Sequence, residues 1–464
     1  MMTFDARETV LVIGLGKSGL ACVRVLRSRG ATVYATDEKP IDELETAITA
    51  IETLGVTFVA PDALDSIVGR LTSAVLSPGV PLTSPIVRAV QDRSVPVFGE
   101  IELAFRLCKA PIVAVTGTKG KSTTTALIGH LLRACGYNVR VGGNIGNPLI
   151  DEVIDARTSD WVVAEVSSFQ LETIRAFKPR VAVLLNIAPD HLDRYHSMDE
   201  YAEAKFRIFA NQAFGDFFIG NRDDERVADL DVTKSERNIR SRQLWFTLGE
   251  RHHNATIYLQ NDRIVYAPIS GDPRPITLMA RNEIPLAGAH NVQNVMAALL
   301  AAFAVGCDPS AVREAVMSFH AMPHRLENVD EIDRVLYVDD SKSTNPGSVV
   351  AALRAYDRPI VLIAGGRAKG TDFVEMGVAI RQRAKALVAI GEAADAIAQH
   401  VGELPVVRAP SMIDAVGAAR ELASPGDVVL LSPGCASFDM FSSAEDRGEQ
   451  FSAAVHALRQ PAGA

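Results

Sequence analysis

The chain has 464 residues, 48% of them apolar and 22% charged, which is enough material for several globular domains. Acidic residues outnumber basic ones by 56 to 47, so the formal charge is −9 and no nucleic-acid partner is expected. No apolar run approaches the ~18 residues of a membrane span, and no signal-peptide pattern precedes Thr9. These features favour a cytoplasmic protein without a membrane partner.

The five cysteines are scattered along the chain and form no Cys-x-x-Cys pair. This spacing predicts neither a disulfide framework nor a thiolate zinc site. A reducing compartment fits the pattern best.

The chain begins with short apolar strands that alternate with helical stretches. The strands are predicted at 9–14, 32–37, 56–60, 74–77 and 95–98. The turn Gly14-Leu-Gly16-Lys-Ser-Gly19 follows the first strand, and Asp37 ends the second, a pattern typical of dinucleotide binding. An NAD-dependent oxidoreductase is one interpretation. There are two alternatives: the turn binds another nucleotide diphosphate at the helix end, or it is a tight turn without a ligand.

A second group of predicted strands begins at 111–116 and is followed at once by a glycine-rich loop. The further strands are predicted at 139–141, 161–166, 181–186 and 217–219. Residues 117–122, Gly-Thr-Lys-Gly-Lys-Ser, lie between the first strand and a helix, where backbone N–H groups can bind phosphate oxygens. Lys121 would reach the terminal phosphates, and the hydroxyl of Ser122 or Thr123 would bind Mg²⁺. The alternative is a plain glycine turn.

Metal-binding side chains follow two other strands of this group. Glu165 lies near the end of the strand at 161–166, and Asp190-His191-x-Asp193 follows the strand at 181–186. Because the carboxyl ends of parallel strands share one sheet edge, these groups could bind Mg²⁺ near the phosphate loop. A solvated strand-end acid and a structural histidine are the alternatives. Lys205, on a predicted helix at 198–210, reads by pattern alone as a lysine on a solvated face.

The remaining pattern completes the architecture. Residues 244–268 predict an antiparallel hairpin around Asn261, and a helix at 291–305 follows. A third group of strands is predicted at 335–338, 360–364, 387–390, 406–408 and 428–431. The fold class is therefore α/β with three domains, in which two Rossmann-like units flank a central P-loop-type mononucleotide-binding domain with an added hairpin. The predicted bounds are 1–99, 100–321 and 322–464.

Several segments together resemble the Mur ligases, the ATP-dependent amide-forming enzymes of bacterial cell-wall synthesis. They occur in the family's order and span nearly the whole chain. They are residues 116–123 (TGTKGKST), 142–146 (GGNIG), 165–170 (EVSSFQ), 190–195 (DHLDRY), 288–294 (GAHNVQN), 323–325 (PHR), 340–345 (DSKSTN) and 431–437 (LSPGCAS). The resemblance implies a UDP-sugar site in the first domain, an ATP site in the second and an amino-acid site in the third.

The resemblance also implies individual roles. It implies that Lys121, His191 and Lys205 are catalytic. It also implies that Lys205 reacts with CO₂ to form a carbamate, which is an anionic oxygen ligand. The two Mg²⁺ ions are held by Ser122, Glu165, His191 and carbamylated Lys205. The ATP contacts are Gly117, Thr118, Lys119, Gly120, Lys121, Ser122, Thr123, Asn291, Asn294, Arg325 and Asp340. The UDP-substrate contacts are Gly14, Gly16, Lys17, Ser18, Asp37, Glu38, Asn144, Ser167 and Gln170.

The segment 340–345 resembles the members that add D-glutamate to UDP-N-acetylmuramoyl-L-alanine through an acyl phosphate. The implied D-glutamate contacts are Lys342, Thr344, Lys369, Ser437 and Phe438. Lysines and hydroxyls suit a dianionic amino acid. Ala444 departs from the aromatic residue that relatives often carry there. A sister Mur-type or folylpolyglutamate-type ligase is the closest alternative function. A non-catalytic nucleotide-binding regulator is a further alternative. The protein is expected to be a monomer.

Overall fold

The chain is described by a computed structural model over residues 4–144, 146–190, 194–231, 237, 239–250, 255–268, 274–286, 288–320, 323–368 and 372–459. The described residues form three sheets, and the predicted three-part α/β architecture is confirmed. Its residue contacts form two compact units: Met1–Arg281 with Gln293–Val316, and Asn282–Val292 with Met317–Ala464. Among the described helices, none has the length and apolar character needed to span a lipid bilayer.

The first sheet is parallel and has the strand order β3-β2-β1-β4-β5, which matches five of the six strands of a doubly wound dinucleotide-binding fold. Its strands are β1 (Thr9–Ile13), β2 (Thr32–Thr36), β3 (Thr57–Phe58), β4 (Ser73–Leu76) and β5 (Val97–Gly99). Its helices are α1 (Lys17–Ser28), α2 (Ile41–Glu52) and α3 (Pro85–Asp92), and α4 (Glu100–Leu107) follows. All five predicted strands are present.

In the described part of the chain the second sheet has nine strands, in the order β14-β13-β12-β11-β10-β9-β6-β8-β7. They are β6 (Ile112–Thr116), β7 (Val139–Gly143), β8 (Trp161–Glu165), β9 (Val181–Leu184), β10 (Phe217–Asn221), β11 (Arg242–Thr247), β12 (Ile257–Gln260), β13 (Arg263–Tyr266) and β14 (Ile276–Ala280). The associated helices are α5 (Lys121–Ala134), α6 (Leu149–Val153), α7 (Ser168–Glu172), α8 (Met198–Phe206), α9 (Glu225–Ala228), α10 (Ala289–Val305) and α11 (Val312–Met317).

The antiparallel part of this sheet differs partly from the prediction. The hairpin is present as β12 and β13, with Asn261 and Asp262 at its turn in left-handed backbone conformations. The preceding β11 lies parallel to both β10 and β12, so it extends the parallel sheet. The additional antiparallel strand β14, with the sequence ITLMA, was not predicted, and it is placed by its pairing with β13.

One hydrophobic core joins the first two sheets. It includes Phe98 of β5, Ile101 of α4, Leu149 of α6 and Ala164 of β8. The buried carboxylate of Glu100 also accepts a hydrogen bond from the Ile150 N–H at 2.7 Å. This shared core explains why both sheets belong to a single compact unit. The bounds 1–99, 100–321 and 322–464 stay predictions.

The third sheet has the order β15-β16-β20-β17-β18-β19 and is parallel except for the pairing of β15 with β16. Its strands are β15 (Glu327–Ile332), β16 (Val335–Asp339), β17 (Ile360–Gly365), β18 (Ala384–Ile390), β19 (Val406–Ala409) and β20 (Val428–Leu431). Its helices are α12 (Pro346–Leu353), α13 (Val374–Arg383), α14 (Ala394–Ala398), α15 (Met412–Leu422) and α16 (Ala444–Ala457). Apolar clusters cover both sheet faces, as the continuous apolar runs predict.

The sequence predicted no disulfide framework, and the structure contains one disulfide that the cysteine spacing did not indicate. Cys135 and Cys307 form a disulfide with a Cα–Cα distance of 5.8 Å, whereas Cys22, Cys108 and Cys435 are free thiols. Cys135 follows the last residue of α5, and Cys307 lies two residues beyond the end of α10. Their separation of 172 residues gave no sign that these two helix ends meet in space.

We expect loss of this disulfide to reduce the free energy of unfolding by about 2–4 kcal/mol, because the unfolded chain then loses a long-range constraint. Urea unfolding of the oxidised wild type and of Cys135→Ser would measure the difference. Cys108→Ser, which removes a free thiol, is the control. Equal stability of oxidised wild type and Cys135→Ser would contradict the expectation.

Candidate active site

The phosphate loop has the predicted strand–loop–helix arrangement. β6 ends at Thr116, α5 begins at Lys121, and the loop needs glycine at both of its ends. Gly117 and Gly120 have φ angles of 153° and 82°. A Cβ on Gly120 would lie 2.3 Å from the Asn294 side-chain oxygen, so any larger residue would displace Asn294 from the loop. The loop therefore presents its backbone at the N-terminal end of a 14-residue helix, an arrangement suited to phosphate oxygens.

Two lysine side chains meet at this loop. The Lys121 ammonium donates to the carbonyl oxygens of Gly117 and Thr118 at 3.0 and 2.9 Å. The Lys205 side chain, only 2% exposed, donates to the same Gly117 oxygen at 2.8 Å. The structure thus corrects the sequence pattern, which placed Lys205 on a solvated face: α8 packs this part of its surface against the loop.

Burial lowers the pKa of Lys205 well below its usual range, and the nearby charge of Lys121 lowers it further. The carboxylates of Asp190 and Glu165 act in the opposite direction. Burial thus favours the neutral amine of Lys205, which is the nucleophilic form of a lysine side chain.

Glu165 supplies a buried carboxylate at the same sheet edge. Its side chain is 2% exposed, and its Oε1 accepts a hydrogen bond from the Asn144 amide at 2.8 Å. Its Oε2 is buried and has no hydrogen-bond partner among the described residues. A buried carboxylate oxygen without a partner is costly. The donor set, the Glu165 carboxylate at the end of β8 and the Ser122 hydroxyl at the start of α5, fits an oxygen-preferring cation such as Mg²⁺.

Asn186 is a structural residue of the site that the sequence analysis did not select. Its side-chain oxygen accepts hydrogen bonds from the N–H groups of Thr118 and Lys119 at 3.1 and 2.8 Å. Its side-chain amide donates to the Lys119 carbonyl at 3.0 Å. Asn186 thereby fixes the phosphate loop from the end of the neighbouring strand β9. Its position just beyond a buried parallel strand was the available signal.

His191 and Lys369, both predicted site residues, lie outside the described residues. Asp190, beside His191, contributes to the electrostatic environment of Lys205. Ser122 is buried at the second position of α5, and Thr123 is half-buried beside it. Lys121, Lys205 and Glu165 thus lie near one another at the carboxyl ends of the strands, and Ser122 follows Lys121 in the first turn of α5.

The Gly14–Gly19 turn joins β1 to α1 in the first sheet. A Cβ on Gly19 would lie 1.8 Å from the Gly14 carbonyl oxygen, so the turn can close only with glycine there. Asp37 stabilises the turn, because its carboxylate accepts hydrogen bonds from the N–H groups of Leu15 and Lys39 at 2.6 and 3.0 Å. Lys17 is exposed at the start of α1 and donates to the Gly146 carbonyl at 2.7 Å.

Other predicted UDP-substrate residues have structural contacts as well. Ser167 and Gln170 form a capping box at the start of α7, in which the Gln170 side chain accepts from the Ser167 N–H at 2.9 Å. Glu38 accepts a hydrogen bond from Ser84. Ser18 is half-buried in the first turn of α1. Their proposed contacts to substrate therefore have to coexist with these bonds.

The second compact unit holds further predicted residues. Asp340 follows β16, and burial raises its pKa to about 7 despite hydrogen bonds from the Ser343 and Ser432 hydroxyls. Arg325 is half-buried and lies close enough to act on the Asp340 charge. Asn291 is buried in the first turn of α10.

The predicted amino-acid residues follow two adjacent strands of the third sheet. Lys342 and Thr344 lie after β16, and Ser437 and Phe438 lie after β20. Lys342 forms an ion pair with Glu445 at the start of α16. Ser437 is buried, whereas Phe438 is 63% exposed.

Three segments of the chain match family descriptions, and each coincides with one sheet. Residues 8–99 match "Mur ligase MurD-like, N-terminal domain", residues 115–302 match "Mur ligase middle domain", and residues 324–435 match "Mur ligase, glutamate ligase domain". The chain belongs to the Mur ligase family. As a Mur ligase it is an ATP-dependent, amide-bond-forming enzyme.

Relatives of this Mur ligase extend over nearly its whole length. It is 44% identical to UDP-N-acetylmuramoylalanine--D-glutamate ligase of Pelotomaculum thermopropionicum, with 99% of this chain and 100% of the relative covered. It is also 44% identical to the protein of the same name from Geotalea daltonii, with 97% and 98% covered. The solved MurF ligase from Thermotoga maritima in complex with ADP has the same fold, with a TM-score of 0.60, 15% identity, and 99% and 100% of the two chains covered.

Proposed function

We propose that this Mur ligase joins D-glutamate to UDP-N-acetylmuramoyl-L-alanine at the expense of ATP. The single observation that carries the chemistry is the arrangement of Lys121, Lys205 and Glu165 around the phosphate loop, with one buried Glu165 oxygen lacking a partner. The choice of substrates is supported by the names of relatives that are 44% identical over nearly the whole chain.

In this proposal the terminal phosphoryl group of ATP is transferred to the carboxylate of the UDP-substrate. The amine of D-glutamate then attacks the acyl phosphate, and phosphate leaves as the amide bond forms. Backbone N–H groups of the loop 117–120 and the Lys121 ammonium orient the phosphates and offset their charge. Gly117, Thr118, Lys119, Gly120, Lys121, Ser122 and Thr123 form the phosphate part of the ATP site.

The metal site is proposed from Ser122, Glu165, His191 and Lys205. Mg²⁺ ions, two by resemblance to the family, would offset negative charge on the transferring phosphoryl group. Carbamylation of Lys205 by CO₂ requires a neutral amine, which the burial of this side chain favours. Carbamylation would convert the buried Lys205 amine into an anionic oxygen ligand, which would account for a lysine near Glu165. His191 could also accept a proton from the attacking amine, although we rank its metal role higher.

The remaining substrate contacts are proposed from their places in the fold. Asn291, Asn294, Arg325 and Asp340 would bind the adenosine part of ATP, and Lys342, Thr344, Lys369, Ser437 and Phe438 would bind D-glutamate. The UDP-substrate would contact Gly14, Gly16, Lys17, Ser18, Asp37, Glu38, Asn144, Ser167 and Gln170. The proposal includes a monomer with domains at 1–99, 100–321 and 322–464.

The test is phosphate release from ATP by the purified protein. We expect release only when both UDP-N-acetylmuramoyl-L-alanine and D-glutamate are present, since the acyl phosphate needs the first and its breakdown to the amide needs the second. ATP hydrolysis at the same rate with and without these two compounds would refute the proposal. A screen of amino acids and acceptors, including a folate, separates this function from a sister Mur-type or folylpolyglutamate-type ligase.

A further inference from the structure

Arg447, in helix α16, is a buried charged residue that the proposed mechanism does not yet use. Its side chain is 0% exposed, which is rare for arginine unless a carboxylate pairs with it. No ion pair of Arg447 is found among the described residues. Burial lowers the pKa of Arg447 to about 10, so the group still carries its positive charge at neutral pH.

The guanidinium group instead donates three hydrogen bonds to neutral oxygens. Nε donates to the Ser341 hydroxyl at 2.9 Å, and one terminal nitrogen donates to the Ser341 carbonyl at 2.8 Å. The other terminal nitrogen donates to the Cys435 carbonyl at 3.2 Å. The Ser341 hydroxyl in turn donates to the Ala444 carbonyl at 2.7 Å. Arg447 therefore links the segment after β16 to the segment after β20.

The segment after β17 also lies next to the Arg447 guanidinium. Gly366 follows β17, and a Cβ at this glycine would lie 3.3 Å from the Arg447 guanidinium and 2.3 Å from the Ala436 carbonyl. The backbones of Arg367 and Ala436 exchange two hydrogen bonds at 2.9 and 3.1 Å. Because β16, β20 and β17 are neighbours in the sheet, Arg447 lies under the carboxyl-terminal edge of three adjacent strands, where open α/β sheets bind ligands.

The amino-acid contacts proposed above lie on these segments. Lys342 is adjacent to Ser341, and Ser437 is two residues beyond Cys435. The spacing between the two groups that would hold the amino acid thus depends on the hydrogen bonds of Arg447. The carboxylates of Asp339 and Asp439 act on Arg447 only through space, without a direct ion pair. The Arg447 charge offsets part of the negative potential of these carboxylates, which makes this edge more favourable for an anionic ligand.

Resting on the proposed function, we propose that Arg447 is the positioning residue of the D-glutamate site. It fixes the segments that carry Lys342 and Ser437, and its buried charge favours the binding of a dicarboxylate amino acid.

The experiment compares Arg447→Lys and Arg447→Met with the wild type in phosphate-release kinetics. We expect Arg447→Met to raise the KM for D-glutamate about 10- to 100-fold, because both the positioning bonds and the charge are lost. Arg447→Lys keeps the charge and should restore part of this loss. The KM for the UDP-substrate should stay unchanged, and kcat at saturating D-glutamate should fall less than the KM rises.

Arg420→Lys and Arg420→Met are the matched controls, since Arg420 lies on α15 of the same unit in an exposed ion pair with Asp333. An unchanged KM for D-glutamate in folded Arg447 variants, or a fall in kcat alone, would overturn the proposal. If thermal unfolding shows that Arg447→Met is not folded, the KM of Arg447→Lys decides. The wild type in the same series tests the proposed function separately. If its phosphate release does not depend on D-glutamate, the proposed function fails whatever the Arg447 variants show.

Discussion

Replacement of Lys121 by alanine is expected to reduce ATP-dependent turnover by about 10²–10³-fold, the usual cost of removing one donor that stabilises transition-state charge. The Lys121 ammonium lies at the start of α5 and contacts the loop carbonyls of Gly117 and Thr118. With ATP bound, the proposed mechanism directs it to the terminal phosphates. Phosphate release in the presence of both substrates measures the loss.

Binding of the UDP-substrate should survive this change, because the Gly14–Gly19 turn belongs to a separate sheet. Lys109→Ala, which removes an exposed lysine before β6, is the control and should retain activity. Loss of UDP-substrate binding together with ATP use would indicate misfolding. Near-normal turnover by a folded Lys121→Ala protein would remove this lysine from the proposed mechanism.

Lys205→Ala is expected to lower activity by about 100-fold or more, since even groups that only support metal ligands cost 10–100-fold when they are removed. In the proposal this side chain becomes a carbamate that holds Mg²⁺ beside Glu165. Alanine would leave space next to the phosphate loop where the Lys205 side chain now lies. A short carboxylic acid such as acetate could enter that space and replace the lost oxygen ligand.

The measurement is phosphate release by Lys205→Ala at increasing acetate concentration. We expect partial recovery, with no effect of acetate on the wild type. Lys178→Ala, at a lysine whose side chain is 45% exposed, tests for a general effect of losing a lysine from this unit. A fully active Lys205→Ala enzyme would exclude a carbamate at this position, and an inactive one without recovery would favour a structural role for the lysine.

Local sequence patterns were sufficient to place most elements, since parallel strands buried on both faces are continuous apolar runs. β17 is a clear case, because all six of its residues are buried. The patterns failed where the apolar signal was weak. β15 contains Glu327, Asp330 and Glu331, has no fully buried residue, and pairs only with β16 at the edge of the sheet. Such a strand is defined by its partner, which local periodicity cannot detect.

The candidate site likewise combines residues that the sequence predicted with residues that only the tertiary structure brought to the site. Glycine, lysine and hydroxyl residues at a strand–helix junction predicted the phosphate loop, because the chemistry of phosphate binding depends on a short contiguous segment. Asn186, Asn294 and Lys205 contact that loop from positions 67 or more residues away. Lys205 in particular had the sequence pattern of a solvated residue, and only the packing of α8 against the loop made it a buried group with a lowered pKa.

The sequence by itself determined the α/β class, the order of the strands along the chain and the phosphate loop, because each depends on neighbouring residues. The tertiary structure decided which distant groups meet: Lys205 with Gly117, Cys135 with Cys307, and Arg447 with the segments after β16 and β20. The physical reason is that burial, electrostatic coupling and disulfide pairing depend on distances in space. A separation of 88 or 172 residues along the chain does not specify those distances.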